Sequence, residues 1–269
     1  MKNRIMAALC CVIACMSSAP AQEPIKSPYF PLEVGHHWTY RATDLKAPQG
    51  KGDPKRNVVV EVERKEVYSV KTTKDGKEVR NEYMGYILKS TSGGKSTFDH
   101  VVVLTTGVHR IHAAETPINP PLNFFKFTDL TPGSTWPCDS ISANKAIKGT
   151  FTASLVDVTI PDVAIGQGLP KTVTFKNTYL ISYSNKKQGN EAIEIDYWFA
   201  PNLGIVKQRM KSQNHEVLLE LERFEVEVGK KSDPTQRCVS SNKIGTEARL
   251  AVSRGASRET AKRTIKTLF

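Results

Sequence analysis

Histidine has the widest chemical scope of the residue types in this sequence, and the chain contains six histidines. His36 and His37 are adjacent, and His109 and His112 are three residues apart. In a strand, both spacings direct the two side chains to opposite faces, whereas a shared metal ion needs ligands on one face. The remaining two, at positions 100 and 215, stand alone. We therefore expect partly exposed strand histidines and no metal site.

The sequence contains no motif of a known catalytic site. A nucleophile elbow (G-x-S-x-G), a metalloprotease helix (H-E-x-x-H) and a Gly-rich dinucleotide turn are all absent. Residues 92–97 (SGGKST) resemble the end of a phosphate-binding loop, but that loop needs a glycine at position 89, which is lysine. Glu194 and Asp196 share a strand face, which is typical of a solvated surface rather than of a glycosidase pair. We expect no catalytic residue and no cofactor, and a hydrolase of an unrecognised type is the weakest interpretation.

The first 21 residues have the pattern of a secretory signal peptide. A basic start precedes the uncharged stretch 5–14, and Ala19-Pro20-Ala21 supplies small residues for ordinary cleavage before Gln22. Val12-Ile13-Ala14-Cys15 also resembles a bacterial lipobox, in which residues 1–14 are removed and Cys15 is acylated. Both interpretations stay open, and both predict export. The mature protein would be periplasmic or extracellular in the first case and a membrane-anchored lipoprotein in the second.

Two cysteines remain after ordinary cleavage, Cys138 and Cys238. In an exported chain they could form one disulfide that closes a long loop, although Cys238 lies in a polar tail that would have to dock first. Their spacing does not suggest a metal site. The sequence therefore predicts a disulfide between Cys138 and Cys238.

The formal net charge of +11 is concentrated at the two ends of the sequence. Residues 1–21 carry a net +2, and residues 229–269 carry ten Lys and Arg against three acids, a net +7. Subtracting both leaves +2 for residues 22–228, a nearly neutral body that argues against nucleic acid as a partner. We expect the basic tail, residues 229–269, to be mostly disordered or to form a short helix. Its charge would favour contact with an anionic membrane or cell-wall polymer.

Hydrophobic alternation with a period of two dominates residues 35–228. The clearest case is Lys171 to Tyr183, where apolar residues such as Phe175 and Ile181 alternate with polar ones. Such alternation indicates strands with one face on a core and the other in water. Ten strands are predicted, at 36–43, 57–70, 79–90, 97–104, 107–112, 148–159, 171–183, 191–199, 204–212 and 216–228.

The short connections between these runs favour an antiparallel meander, because parallel strands need long crossovers. The fold class is therefore all-β or nearly so. We expect residues 22–34 to be a lead-in and residues 35–228 to form a single antiparallel β domain. A sheet of this size must curve, so its concave side needs a helix, a loop or a ligand as filler.

The segment from Ala113 to Pro137 is the predicted cover for that concave side. It is long, and Pro117, Pro120 and Pro121 within residues 115–130 favour a loop over a helix. Either its aromatic residues are ordinary core, or they form a ligand-binding lid. The residues predicted to bind a ligand in the second case are Leu122, Phe124, Phe125, Phe127 and Trp136.

Four segments together resemble a known family. They are, in order, Tyr29-Phe30-Pro31-Leu32 with Gly35 and Trp38-x-Tyr40; Leu130-x-Pro132-Gly133-x-x-Trp136; Val158-Thr159-Ile160-Pro161; and YWFAPNLGIVK at 197–207. Over roughly residues 29–228 the chain resembles uncharacterised bacterial exported proteins related to the LolA/LolB-type lipoprotein carriers. The resemblance implies an incomplete barrel whose hydrophobic concavity is covered by a helix or loop and accepts acyl chains. It carries over no catalytic residue, and residues 161–170 are longer than the corresponding turn of relatives.

Two functions follow from these observations. The first is an exported, non-catalytic half-barrel that binds a hydrophobic or amphipathic ligand, or a lipoprotein, on its concave face. The alternative is a structural or interaction module of the cell envelope with a filled core and a basic tail on anionic surfaces. The volume of the interior discriminates between them.

Overall fold

β-Strands account for all the regular secondary structure in the part of the chain that the structure describes. The computed structural model describes residues 26–47, 56–74, 77–185 and 192–226. Within these ranges there is no helix, and so none long and apolar enough to cross a membrane. The strands are β1 (His36–Asp44), β2 (Arg56–Lys74), β3 (Lys77–Ser92), β4 (Lys95–Leu104), β5 (Gly107–Ala113), β6 (Thr116–Lys126), β7 (Thr135–Ser142), β8 (Lys145–Ile165), β9 (Lys171–Asn185), β10 (Ile193–Ala200), β11 (Gly204–Lys211) and β12 (Glu216–Val226).

The period-two pattern of the sequence sets which side of each strand is buried. Alternate residues of β7 are buried and exposed along its whole length, and β11 buries Val206, Gln208 and Met210 while its intervening residues are half-buried. One face of each strand therefore points to a common interior. All ten predicted strands are present, with ends that differ by up to several residues.

The strands form a closed antiparallel barrel, so the predicted incomplete barrel is wrong. Each strand pairs with its neighbours in sequence, and β1 also pairs with β12 from His36↔Val226 to Asp44↔Val217. Trp38 lies opposite Phe224 in this ladder, with their ring centroids 5.4 Å apart. Large apolar cross-strand pairs stabilise a ladder, and closure removes the two exposed edges that an open sheet would leave.

The expectation that residues 113–137 cover the interior as a loop or helix is also wrong. This segment supplies the whole of β6 and the start of β7, two strands of the barrel wall. The register between β5 and β6 shifts between Leu122 and Pro117, so Pro120 and Pro121 lie where the ladder is interrupted. A proline is tolerated there because no amide donor is required.

One end of the barrel is covered by an extension of β8 and β9, residues 157–178, which we call the β8–β9 arch. Its far end reaches β12, where Ala164 pairs with Arg223 and Ile165 pairs with Phe224 in parallel orientation. The amide of Gly166 donates to the carbonyl of Phe224 at 2.8 Å. The longer segment at 161–170 therefore closes this end of the barrel.

The lead-in packs into the barrel core and fills part of the interior. Phe30 and Leu32 are each only 6% exposed and belong to the main core. The Phe30 ring meets Phe124 and Phe199 edge-on, with centroids 5.9 Å away in both cases. About eight strands give an interior that side chains alone can fill, so twelve strands need additional material. Residues 27–34, here called the lead-in plug, supply part of it.

Candidate functional site

A cavity of about 60 Å³ lies between the lead-in plug and the strands. Its lining includes the apolar Phe30, Trp38 and Phe124 and the polar Asp99 and Arg110. A buried water molecule needs roughly 10–15 Å³ of such space, whereas pockets for small molecules measure about 300–1,000 Å³. This cavity has room for a few waters and none for an acyl chain.

The five residues predicted to bind a ligand lie in or against the barrel core. Phe124 and Phe125 are almost fully buried, and Phe124 lines the cavity. Phe125 packs on Phe199 with ring centroids 4.3 Å apart and on Phe127 at 5.8 Å. Leu122 and Phe127 are partly buried against the same core.

Trp136 is separated from the other four by its own contacts. Its ring stacks on Phe151 with centroids 5.4 Å apart, and its Nε1 donates to the carbonyl of Asn123 at 2.9 Å. The structure thus brings Phe124, Phe125 and Phe127 together and places Trp136 in a neighbouring stack. A ligand-binding role for these residues stays a prediction.

A buried ion pair lies at the polar side of the cavity. Arg110 Nη2 is 3.3 Å from Asp99 Oδ2, and the other carboxylate oxygen of Asp99 accepts from the amide of Ala114 at 2.9 Å. Arg110 also bonds the Tyr197 hydroxyl and lies 5.5 Å from the Phe124 ring centroid. Burial opposes the charge of Arg110, but Asp99 and Tyr197 outweigh it and raise the pKa of Arg110. The guanidinium therefore stays charged and is held by internal partners.

Neither Asp99 nor Arg110 belongs to a motif that the sequence makes recognisable. A signal was present for Asp99, since it occupies the same face of β4 as the buried Val101 and Val103. A carboxylate on a strand's apolar face indicates a buried polar partner. That partner comes from β5, and its identity depends on strand register.

The acidic residues of β10 lie on the outer face and are neutralised by neighbouring strands. Asp196 is 8% exposed, and its Oδ2 accepts from Nε and Nη2 of Arg209 at 2.9 and 2.6 Å. Ser182 donates to its Oδ1 at 2.6 Å. Glu194 pairs with Lys211 at 3.2 Å. These carboxylates are tied into cross-strand ion pairs, and this arrangement stabilises the sheet rather than forming an acid–base pair.

Two histidines that looked unrelated in the sequence are neighbours in the structure. His100 of β4 pairs directly with His112 of β5, and their ring centroids are 4.6 Å apart. The register of β4 against β5 brings them together. The spacing of His109 and His112 along one strand gives no information about a partner on the next strand. Within the described ranges, no group of three or more His, Cys, Asp or Glu is arranged to hold a metal ion.

Cys138 is buried in the barrel, and its thiol donates to the carbonyl of Ile147 at 3.4 Å. Burial, helped by the charge of Asp139, raises the pKa of Cys138 to about 11. Cys238 and Cys15 lie outside the described residues, as do the predicted signal peptide and the whole of the basic tail. The disulfide, the lipidation and the tail contacts therefore stay predictions.

No family model matches the sequence, and no curated protein matches it. Two solved structures are similar to part of it. One is described as "a putative lipoprotein from Parabacteroides distasonis", with a TM-score of 0.42 and 10% identity over 75% of this chain and 100% of that chain. The other is described as a "putative exported protein with YmcC-like fold" from Bacteroides fragilis, with a TM-score of 0.40 and 13% identity over 73% of this chain and 98% of that chain.

Proposed function

We propose that this protein is an exported, non-catalytic module of the bacterial cell envelope that acts through its outer surface and its basic tail. The observation that carries the proposal is the filled interior. The lead-in plug places Phe30 and Leu32 inside the barrel, and the cavity beside Phe30 measures about 60 Å³. Of the two functions that the sequence suggests, the structural or interaction module fits this geometry better.

Entry of an acyl chain would require the lead-in plug to leave. Fully burying a Phe or Leu side chain contributes about 1.5–3 kcal/mol, so exposing Phe30 and Leu32 would cost roughly 3–6 kcal/mol before a ligand gained anything. The plug is also tied to the β10–β11 turn, because the amide of Asn202 donates to the carbonyl of Pro28. Both facts support a barrel that keeps its own filler.

The partner that we propose is an anionic surface, either membrane lipid or a cell-wall polymer. Residues 229–269 carry a net charge of +7, while residues 22–228 carry +2. Each Lys or Arg near an anionic membrane contributes about 1 kcal/mol of attraction, and salt screens that attraction. The tail is therefore the element that would hold the protein to the surface.

Vesicle co-sedimentation tests this proposal. We expect the mature chain to bind vesicles of phosphatidylcholine and phosphatidylglycerol and to dissociate from them at high salt. It should not bind vesicles of phosphatidylcholine alone. A chain that ends at Val228 should not bind. The matched control keeps the tail length but replaces its ten basic residues by Gln, and it should not bind either. Unchanged binding by both variants would overturn the role of the tail.

Native mass spectrometry after gentle purification tests the filled interior. We expect the mass of the polypeptide without bound lipid. A stoichiometric lipid would overturn the interaction module and restore the ligand carrier, with Phe124 and its neighbours as the contact residues. Labelling with palmitate separates the two leader interpretations: label that is lost in Cys15→Ser would identify a lipoprotein, and absence of label in the wild type would indicate cleavage before Gln22.

A further inference from the structure

His100 and His112 form a pair on the outside of the barrel, away from the cavity. Asp99 and Val101 point into the barrel, so His100 between them points outward. His112 lies directly opposite it on β5, with the two rings inclined at 62°. Both side chains are partly exposed, so a solute can reach them.

The hydrogen bonds around His100 fix which of its nitrogens carries the proton. Tyr68 Oη donates to Glu66 Oε2 at 3.0 Å, and the same Oη lies 3.1 Å from Nδ1 of His100. A phenol has a single hydrogen, so Nδ1 of His100 must be the donor to Tyr68. Nε2 of a neutral His100 therefore carries a lone pair. The chain Glu66–Tyr68–His100 orients the ring, as the outer-shell partners of metal-bound histidines do.

His112 has unused hydrogen-bonding capacity. Its Nδ1 is buried and has no hydrogen-bond partner in the described structure. By contrast, His36 bonds the carbonyl of Pro31 and His37 bonds Glu225. Burial lowers the pKa of both His100 and His112, and the neighbouring His100 adds to the effect on His112. Both rings are therefore neutral at neutral pH, which is the form that binds metals.

The electrostatic surroundings of His100 favour a cation. The carboxylates of Glu66, Asp99 and Glu115 act on this ring, and Arg64 is the positive group that opposes them. Arg64 is itself paired with Glu63 and Glu66. A positive ion at this site would thus meet a negative potential.

We propose that His100 and His112 bind a divalent transition-metal ion of borderline softness, such as Zn²⁺ or Ni²⁺, through their imidazole nitrogens. Water completes the coordination, since the described residues offer no third His, Cys, Asp or Glu in position. Imidazole suits these ions, and an open site with two protein ligands binds more weakly than a closed structural zinc site. The site is independent of the proposed envelope function.

Titration of the full chain with Zn²⁺ and Ni²⁺ tests the site, with calorimetry for affinity and NMR of the histidine rings for location. All six histidines fall within the described residues, so each ring signal has a known position. We expect Zn²⁺ to shift, and Ni²⁺ to broaden, the signals of His100 and His112 before those of the other four. His112→Ala should abolish this binding, and His215→Ala, the matched control, should retain it.

Tyr68→Phe provides a second variant that keeps both ligands. It removes the hydroxyl that orients His100 and should weaken the metal about 10–100-fold. If circular dichroism without metal shows that His112→Ala does not fold, Tyr68→Phe alone tests the site. Equal affinity in wild type, His112→Ala and Tyr68→Phe would mean adventitious binding only and would overturn the proposal, as would broadening centred on any other histidine.

Discussion

Phe30 is the residue on which the filled interior depends most directly. It lies 6% exposed between the rings of Phe124 and Phe199 and borders the cavity. Truncation would enlarge the cavity inside a closed wall that cannot collapse freely. We expect Phe30→Ala to lower the free energy of unfolding by about 3–5 kcal/mol, measured by denaturant titration.

Leu169→Ala is the control for that measurement. Leu169 is 86% exposed at the tip of the β8–β9 arch, so its truncation should change the free energy of unfolding by less than about 0.5 kcal/mol. An equally small effect of Phe30→Ala would mean that the lead-in does not occupy the interior in solution.

His109 gives a prediction about pH. Burial lowers the pKa of His109 from 6.5 to about 4, although a hydrogen bond with the backbone of Pro121 opposes the shift. Between these values the unfolded chain binds a proton that the folded chain does not. His109 therefore contributes stability above pH 6.5, and that contribution is lost as the pH falls from 6.5 towards 4.

Unfolding titrations at several pH values check this prediction. The free energy of unfolding should fall between pH 6.5 and 4 in the wild type, and less steeply in His109→Gln. His100 and His112 shift in the same direction and remain in both chains, so the difference isolates His109. Parallel profiles for the two chains would contradict the assignment.

At the residue scale, the sequence predicted side chains better than it predicted their partners. Phe124, Phe125 and Trp136 were recognised as interior candidates because they are large and apolar. The pairs Asp99–Arg110 and His100–His112 were missed, since each joins β4 to β5 and depends on strand register. The register of β4 against β5 shifts by one residue beside His112, so the residue opposite His100 cannot be predicted by counting along the two strands.

At the scale of elements, the β8–β9 arch is the feature whose position is easiest to test. Ala164 and Arg223 are paired residues of its parallel contact with β12. In a chain without its own cysteines, Ala164→Cys with Arg223→Cys should cross-link on mild oxidation, because paired positions fall within disulfide reach. Non-reducing electrophoresis would reveal the faster-migrating product.

The matched control keeps Ala164→Cys but places the second cysteine at position 45 instead of position 223. Leu45 follows β1 at the opposite end of the barrel, so Ala164→Cys with Leu45→Cys should not cross-link within one chain. If neither pair reacted in the folded protein, the arch would not rest on β12 in solution.

The elements that the sequence predicted are those with regular alternation, such as β9 and β11. β6 and β7 were missed because prolines and aromatics without a clear period resemble a loop. β6 tolerates its prolines because the β5–β6 ladder is interrupted there and because β6 contacts β7 at only two paired positions, Ile118↔Ser142 and Asn119↔Ile141. The lead-in plug was missed because a short segment without periodicity gives no signal of burial.

At the scale of the whole molecule, the closure of the barrel and the filling of its interior depend on each other. Twelve strands enclose more space than their own side chains fill, so closure is stable only with added material such as the lead-in plug. The described body then offers partners its outer face, where cross-strand ion pairs such as Lys207–Glu220 and Arg209–Asp196 combine positive and negative charges. The strong positive charge of the sequence lies in its tail.

Residue-resolved hydrogen exchange of β1 tests this closed barrel most directly. Amides along a strand point alternately to its two neighbours, which for β1 are β2 and β12. We expect both alternating sets between His37 and Ala42 to exchange slowly, at rates set by global unfolding. Rapid exchange of the set that faces β12, with slow exchange of the set that faces β2, would contradict closure and restore the incomplete barrel.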